Sequence, residues 1–279
     1  MADPAPVNPI RVVATDLDGT LLRPDLTVSA YTREQLHRVV ASGRMLVFVT
    51  GRPPRWMPPV LATTGHDGIA VCANGAVIMD VAAEQIVAHH PLSTTDLADV
   101  CAVIRAEMGA DCRFAVEVAP VGALAGNRLV HEAGFLPRHA ASAETTTLAA
   151  IVASDSAVKL LARGSGDVAD TAEVAARVAA ATGDLVTVSH SSRTHQLLEV
   201  APPGVTKAST LAQLVTDAGF DSRQVVAFGD MPNDIPMLSW AGHAVVVEGA
   251  HPSVLAIADT VVADPEHDGL GRWLHEHLE

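Results

Sequence analysis

Three largely apolar runs punctuate the first ninety residues, at 10–15, 44–49 and 68–72, and apart from Arg11, Thr15 and Arg44 none of them carries a polar position. A run without alternation reads as a strand buried on both faces, as in a parallel sheet covered by helices. The intervening segments carry helix signals. Residues 29–42 are opened by the N-cap candidate Ser29 and closed by Gly43, and a second helix is expected to start near Pro53, a residue tolerated in a first turn. This strand–helix rhythm predicts an α/β fold, a doubly wound, Rossmann-like parallel sheet.

Beyond a hairpin expected at 77–89 the pattern changes. Helical periodicity appears at 94–108 and 168–182, and strand-like runs at 113–118, 158–163, 185–189 and 196–200. Such a mixture predicts an inserted α+β module with one covered sheet face. After the rigid Pro202-Pro203-Gly204 the first rhythm returns, with a helix from Lys207 to about Ala218, a strand at 224–228, a short helix to Trp240, and strands at 244–247 and 260–263. The expected division is a core of residues 1–88 and 191–279, interrupted by a second domain at 89–190.

The chain has 279 residues, 49% of them hydrophobic, enough for two ordinary cores. A net charge of −14 argues against nucleic acid, whose phosphates are bound by basic surfaces. No apolar stretch approaches the ~18–20 residues that cross a bilayer, and residues 1–9 lack both the basic start and the apolar segment of a targeting sequence. A soluble, cytoplasmic protein with a loose N-terminal tail is the expectation. Cys72, Cys101 and Cys112 show no ligand spacing and read as buried thiols, and His275-Glu276-His277 reads as a solvated helix end. Only two lysines occur, Lys159 and Lys207.

Asp16 and Asp18 directly follow the first apolar run, where an open α/β sheet binds its ligands. Two carboxylates that close repel each other unless a cation lies between them or one stays protonated. Taken alone, Asp-x-Asp-Gly is equally an ordinary turn. Three further segments fall at strand ends or flanks: Thr50-Gly51-Arg52, Lys207, and Gly229-Asp230 with Asn233-Asp234. Together they offer what phosphoryl transfer demands, namely oxygen ligands for magnesium, a point charge, and hydrogen-bond donors around one nucleophile. A local cluster of that kind lets an acidic protein hold an anion.

In order and spacing, Asp-Leu-Asp-Gly-Thr at 16–20, Thr-Gly-Arg at 50–52, Lys207 and Gly-Asp-Met-Pro-Asn-Asp at 229–234 resemble the haloacid-dehalogenase-like superfamily of aspartate-nucleophile phosphatases. The insertion between Arg52 and Lys207 is similar in place and size to the cap of its Cof-type, class IIB subgroup, as are Asn74-Gly75-Ala76 and Leu198-Glu199-Val200. The resemblance implies that Asp16 attacks phosphorus and that Asp18 acts as acid, then base. It implies Mg2+ held by Asp16, the Asp18 carbonyl, Asp230 and Asp234, and phosphoryl oxygens held by Thr50, Gly51, Lys207 and Asn233. Asn74 is expected near the substrate, and Arg52 either touches substrate or forms a structural salt bridge. Ala208, where the subgroup often has glycine, is the one departure noted.

The implied activity is hydrolysis of a small phosphorylated metabolite, a sugar phosphate or similar. A phosphomutase of the same architecture and a non-catalytic metabolite-binding protein are the alternatives. A competing signal is Gly164-Ser165-Gly166-Asp167-Val168-Ala169, formally a dinucleotide fingerprint. The acidic residue expected to close the next strand is misplaced, so a glycine turn within the cap is expected. Lys159, in an alternating strand, reads as a solvated or cap-face cation, and Trp56, Trp240 and Trp273 as core or rim packing.

Overall fold

The computed structural model describes residues 9–136, 144–192 and 194–278. All but the last residue of the expected N-terminal tail lie outside them.

In chain order the first domain begins with β1 (Val12–Thr15), α1 (Ala30–Ala41), β2 (Met45–Val49), α2 (Met57–Thr64), β3 (Ile69–Cys72), β4 (Val77–Asp80) and β5 (Gln85–His89). The second contributes α3 (Leu97–Met108), β6 (Arg113–Val118), β7 (Gly122–Ala123), β8 (Arg128–Glu132), β9 (Glu144–Thr146), α4 (Leu148–Val152), β10 (Ala157–Arg163), α5 (Thr171–Thr182), β11 (Thr187–Ser189) and β12 (Leu197–Ala201). The chain then returns through α6 (Lys207–Asp217), β13 (Val225–Gly229), α7 (Ile235–Trp240), β14 (His243–Val247), α8 (Pro252–Leu255), β15 (Thr260–Val262) and α9 (Gly269–Leu278).

The larger sheet runs β15-β14-β13-β1-β2-β3-β4-β5-β7. Its first six strands are parallel, and the hairpin strands β4 and β5 extend it antiparallel. Alternate residues of one strand feed different cores. Val13 packs with Leu36 of α1, Val60 of α2 and Trp273 of α9, whereas Val12 and Ala14 pack with Leu211 of α6 and Met237 of α7. Both faces are therefore covered, which is why β1 carries no polar residue before Thr15. At α1, Ser29 Oγ accepts from the Thr32 N–H at 2.9 Å, as the sequence predicts.

The smaller sheet runs β11-β12-β10-β6-β8-β9. Phe114, Val116, Leu160, Ala162, Leu198 and Val200 turn to α3 and α5. The opposite face, carrying Glu117, Lys159 and Glu199, turns to the first domain. β12 hydrogen-bonds in this second sheet, although the division expected at residue 190 assigns it to the core. Conversely, β7 pairs with β5 in the larger sheet. Among the described residues no helix is long and apolar enough to cross a membrane.

The C-terminal histidines lie on α9, whose other face is core. Trp273 is buried, stacked on His277 at 4.3 Å and edge-on to Phe228 at 5.3 Å. All three cysteines are buried and free, and burial pushes the Cys72 thiol up to about 12.

Candidate active site

The ends of β1 and β13 lie side by side, Thr15 in register with Phe228, so the residues following each strand share one edge of the sheet. Asp16 follows β1; Asp230 follows β13. Lys207 is the first residue of α6, fixed by a reciprocal cap in which Ser209 N–H donates to Thr206 Oγ1 and Thr206 N–H donates to Ser209 Oγ. Its side chain is 1% exposed and donates to Asp16 at 2.5 Å and to Asp234 at 2.6 Å. Asp234 is tied down in turn, its other oxygen accepting from the Asp230 and Met231 N–H groups at 3.0 Å each.

Carboxylate oxygens of Asp16, Asp230 and Asp234 lie within 4.8 Å of one another. Burial, reinforced by Asp234 and Asp230 and opposed by Lys207, lifts the Asp16 carboxyl well above its usual range. Burial alone would lower the Lys207 ammonium, yet Asp16 and Asp234 outweigh it and hold it above its ordinary value. All three clustered donors are carboxylate oxygens, a set that fits magnesium, a hard cation. Gly19 adopts a left-handed φ of 80°, and a Cβ there would stand 2.6 Å from Asp230 Oδ2. Thr20, the last residue of the 16–20 motif and given no role in the sequence reading, donates to Asp230 Oδ1 at 3.0 Å.

Asp18 is not among the three clustered carboxylates. Its side chain is half exposed and is gripped by Arg52 through two hydrogen bonds of 2.6 and 2.5 Å. Arg52 forms this salt bridge, and Asp18 holds its guanidinium above the ordinary value. Thr50 and Gly51 line the same cleft as Asp16, Asp18, Arg52 and Asn233, a cavity of about 210 Å³. Thr50 Oγ1 accepts from the Arg52 N–H at 3.1 Å, leaving its own hydroxyl hydrogen to donate elsewhere. Asn233 donates to Asn74 Oδ1 at 3.1 Å, so its amide is turned to a protein partner.

The cap contributes polar groups whose roles the sequence did not disclose. Of the two readings of Lys159, solvated or cap-face, the structure has the second: it is buried on the cap face, donating to the Gly51 carbonyl at 2.7 Å and to Glu199 at 3.3 Å. Glu199 also accepts from Asn74 Nδ2 and, at 2.6 Å, from Ser191. Trp56 is exposed and lines the cleft, the rim rather than the core of the two places expected for it. In the sequence Lys159 shows only as a charged residue in a strand, which does not say which face it takes, whereas Glu199 and Asn74 stand in motifs that the family resemblance already marks. The glycine fingerprint resolves as a turn: Gly164 N–H and Gly166 N–H both donate to Gln196, whose side chain fills the space beside them.

A buried aspartate at a strand end, facing a lysine beneath an inserted domain, has the form of a capped, aspartate-based hydrolase. The chain belongs to the haloacid dehalogenase-like hydrolase family, whose sequence pattern matches residues 13–274. It is 28% identical over 275 residues to the pyridoxal phosphate phosphatase YbhA of Escherichia coli K12, covering 96% of this chain and 98% of that one. It is 30% identical over 249 residues to an HMP-PP phosphatase of Enterobacter sp. strain 638, covering 88% and 87%. The fold is shared with the subclass IIB sugar phosphatase BT4131, at a TM-score of 0.77 and 18% identity over 95% of this chain and 98% of that one.

Proposed function

We propose that this hydrolase cleaves small phosphate monoesters through a phosphoryl group carried on Asp16. The observation behind this reading is the Asp16–Lys207–Asp234 ion-paired cluster, with Asp230 beside it, at the carboxyl edge of the sheet. The Asp16 carboxylate attacks phosphorus and the bond to the ester oxygen breaks, with Asp18 giving that oxygen its proton. Asp18 then takes a proton from the water that attacks the aspartyl phosphate, releasing inorganic phosphate and restoring Asp16. Thr50, the Gly51 amide, Lys207 and Asn233 hold the phosphoryl oxygens, Asn233 by turning from Asn74. Asp16, Asp230, Asp234 and the Asp18 carbonyl would hold magnesium, which when bound neutralises phosphoryl charge.

Next to the catalytic cleft, and sharing Trp56, Glu117, Leu161 and Leu197 with it, lies a chamber of about 590 Å³. Leu129, Phe135 and Leu136 extend its apolar walls, and Arg55, Asn127, Arg128, Arg163 and His195 add polar groups among them. Walls of this mixed kind suit a ring bearing a few polar substituents, as in the pyridoxal phosphate named for one relative. The test is a panel of phosphate esters assayed with and without Mg2+, beside Asp16→Asn. Magnesium-dependent release of free phosphate, lost in the variant, is expected. Turnover without metal, or a variant as active as wild type, overturns the mechanism, and isomer interconversion without phosphate release indicates a mutase.

A further inference from the structure

Glu117 stands where the catalytic cleft meets the chamber, and it lines both. Among the described residues it is the only carboxylate lining the chamber. Its side chain is 3% exposed. One oxygen is satisfied, accepting from Arg55 Nη2 at 2.6 Å. The other, Oε2, is sealed from solvent and has no hydrogen-bond partner.

A structural ion pair does not account for that orphan oxygen. Lys159 is directly opposite Glu117 in the β6–β10 register, yet its ammonium donates to the Gly51 carbonyl and to Glu199 instead. Arg55 stacks its guanidinium on Trp56, 4.9 Å from the ring centroid, which fixes the donor side of the pair. A buried acceptor left unmade is costly, and such a group in a ligand-lining position is matched by a donor the ligand brings. The walls beside it, Leu161 and Leu197 of the cap and Trp56 of the core, offer apolar surface to the remainder of that ligand.

We propose that Glu117 selects the leaving group, its carboxylate turning so that the covered oxygen meets the chamber and accepts a hydrogen bond from an N–H or O–H carried on the ring of the substrate. The inference rests on the reading of the protein as a phosphate-ester hydrolase and adds the chemistry its substrate must present: an apolar ring with one donor. Sites built to pair a buried polar group discriminate strongly against analogues lacking its partner.

Glu117→Gln inverts the preference. Arg55 requires an acceptor, so the amide oxygen stays with it and the amide N–H2 takes the place of Oε2, replacing acceptor by donor. The probes are aminobenzyl phosphates and the methylbenzyl phosphates of the same ring position, alike in size and differing in one donor. Binding is measured calorimetrically with Mg2+ in the Asp16→Asn background, so no turnover is needed. A preference of about tenfold for the amino ester, the worth of one hydrogen bond of ~1.4 kcal/mol, is expected with Glu117. It is expected to vanish or reverse with Gln and to vanish in Glu117→Leu. Ratios within about twofold of unity with Glu117 present, or an unchanged amino preference in both variants, overturn the proposal. Wild-type protein that binds with this preference but hydrolyses neither ester discards the phosphatase reading alone.

Discussion

Lys159, on the central strand of the cap sheet, donates a 2.7 Å hydrogen bond to the backbone carbonyl of Gly51, in the loop that follows β2 of the core. The same ammonium meets Glu199 at 3.3 Å, and Glu199 accepts from Asn74, which follows β3. One buried ion pair thus joins the cap to the two core loops that frame the proposed phosphate site.

Removing one partner of such a pair strands the other. Lys159→Met is expected to cost about 3–5 kcal/mol in denaturant unfolding and to raise KM, because the Gly51 loop loses its hold. The double variant Lys159→Met, Glu199→Met leaves no buried charge behind and is expected to recover most of the stability but not the KM. Recovery of both would mean that the contact with Gly51 does nothing for substrate.

This network also marks the limit of what the sequence discloses. Unbroken apolar runs locate β1, β2, β3 and β13, since burial on both faces leaves a strong signal, and the aspartates and Lys207 sit at or beside those strand ends. The cap sheet is harder. β8 and β9 carry Arg128, His131, Glu132 and Glu144 among few apolar residues, so nothing in their pattern announces a strand. Glu117, Lys159 and Glu199 each interrupt an apolar run, yet a period of two does not reveal whether the odd face meets solvent or another domain. The family resemblance supplied the order of the catalytic motifs, whereas the role of Lys159 required the docked cap.

Lys207 faces two carboxylates in a sealed pocket, so its loss is felt in the chemistry and in the electrostatics. Lys207→Met is expected to lower kcat about 10²–10³-fold at saturating Mg2+. It also leaves Asp16 and Asp234 without their cation, so Mg2+ should raise the melting temperature more in the variant than in wild type. An equal Mg2+ shift in both proteins would separate the metal site from Lys207.

The cap contact should respond to acid with a defined sign. Burial pushes the Glu199 carboxyl up, but Lys159 and the hydrogen bonds from Ser191 and Asn74 outweigh it and hold the group below its ordinary value. A carboxyl depressed on folding contributes stability that is complete above the unfolded value of about 4.3 and is lost as pH falls through the lower folded value. Unfolding free energies measured from about pH 7 down to 3 should therefore show a decline below pH ~4.3 that is shallower in Glu199→Gln. The variant is also less stable at neutral pH, where the wild-type contribution is complete. Parallel curves would place the acid response in other groups.

Gly19 separates backbone strain from metal geometry. Its φ of 80° disfavours any side chain, and a Cβ would lie 2.6 Å from Asp230 Oδ2, the neighbour of the oxygen that Thr20 holds. Gly43 has nearly the same φ, 76°, with nothing within 4 Å of the Cβ position. Alanine at either site should lose about 1–2 kcal/mol of stability, the cost of a left-handed non-glycine residue. Only Gly19→Ala displaces Asp230, so only that variant should need more Mg2+, by about tenfold or above, the equivalent of ~1.4 kcal/mol at the metal site. Magnesium titrations of activity in the two variants make the comparison, and an equal requirement in both would show that Asp230 does not hold the ion.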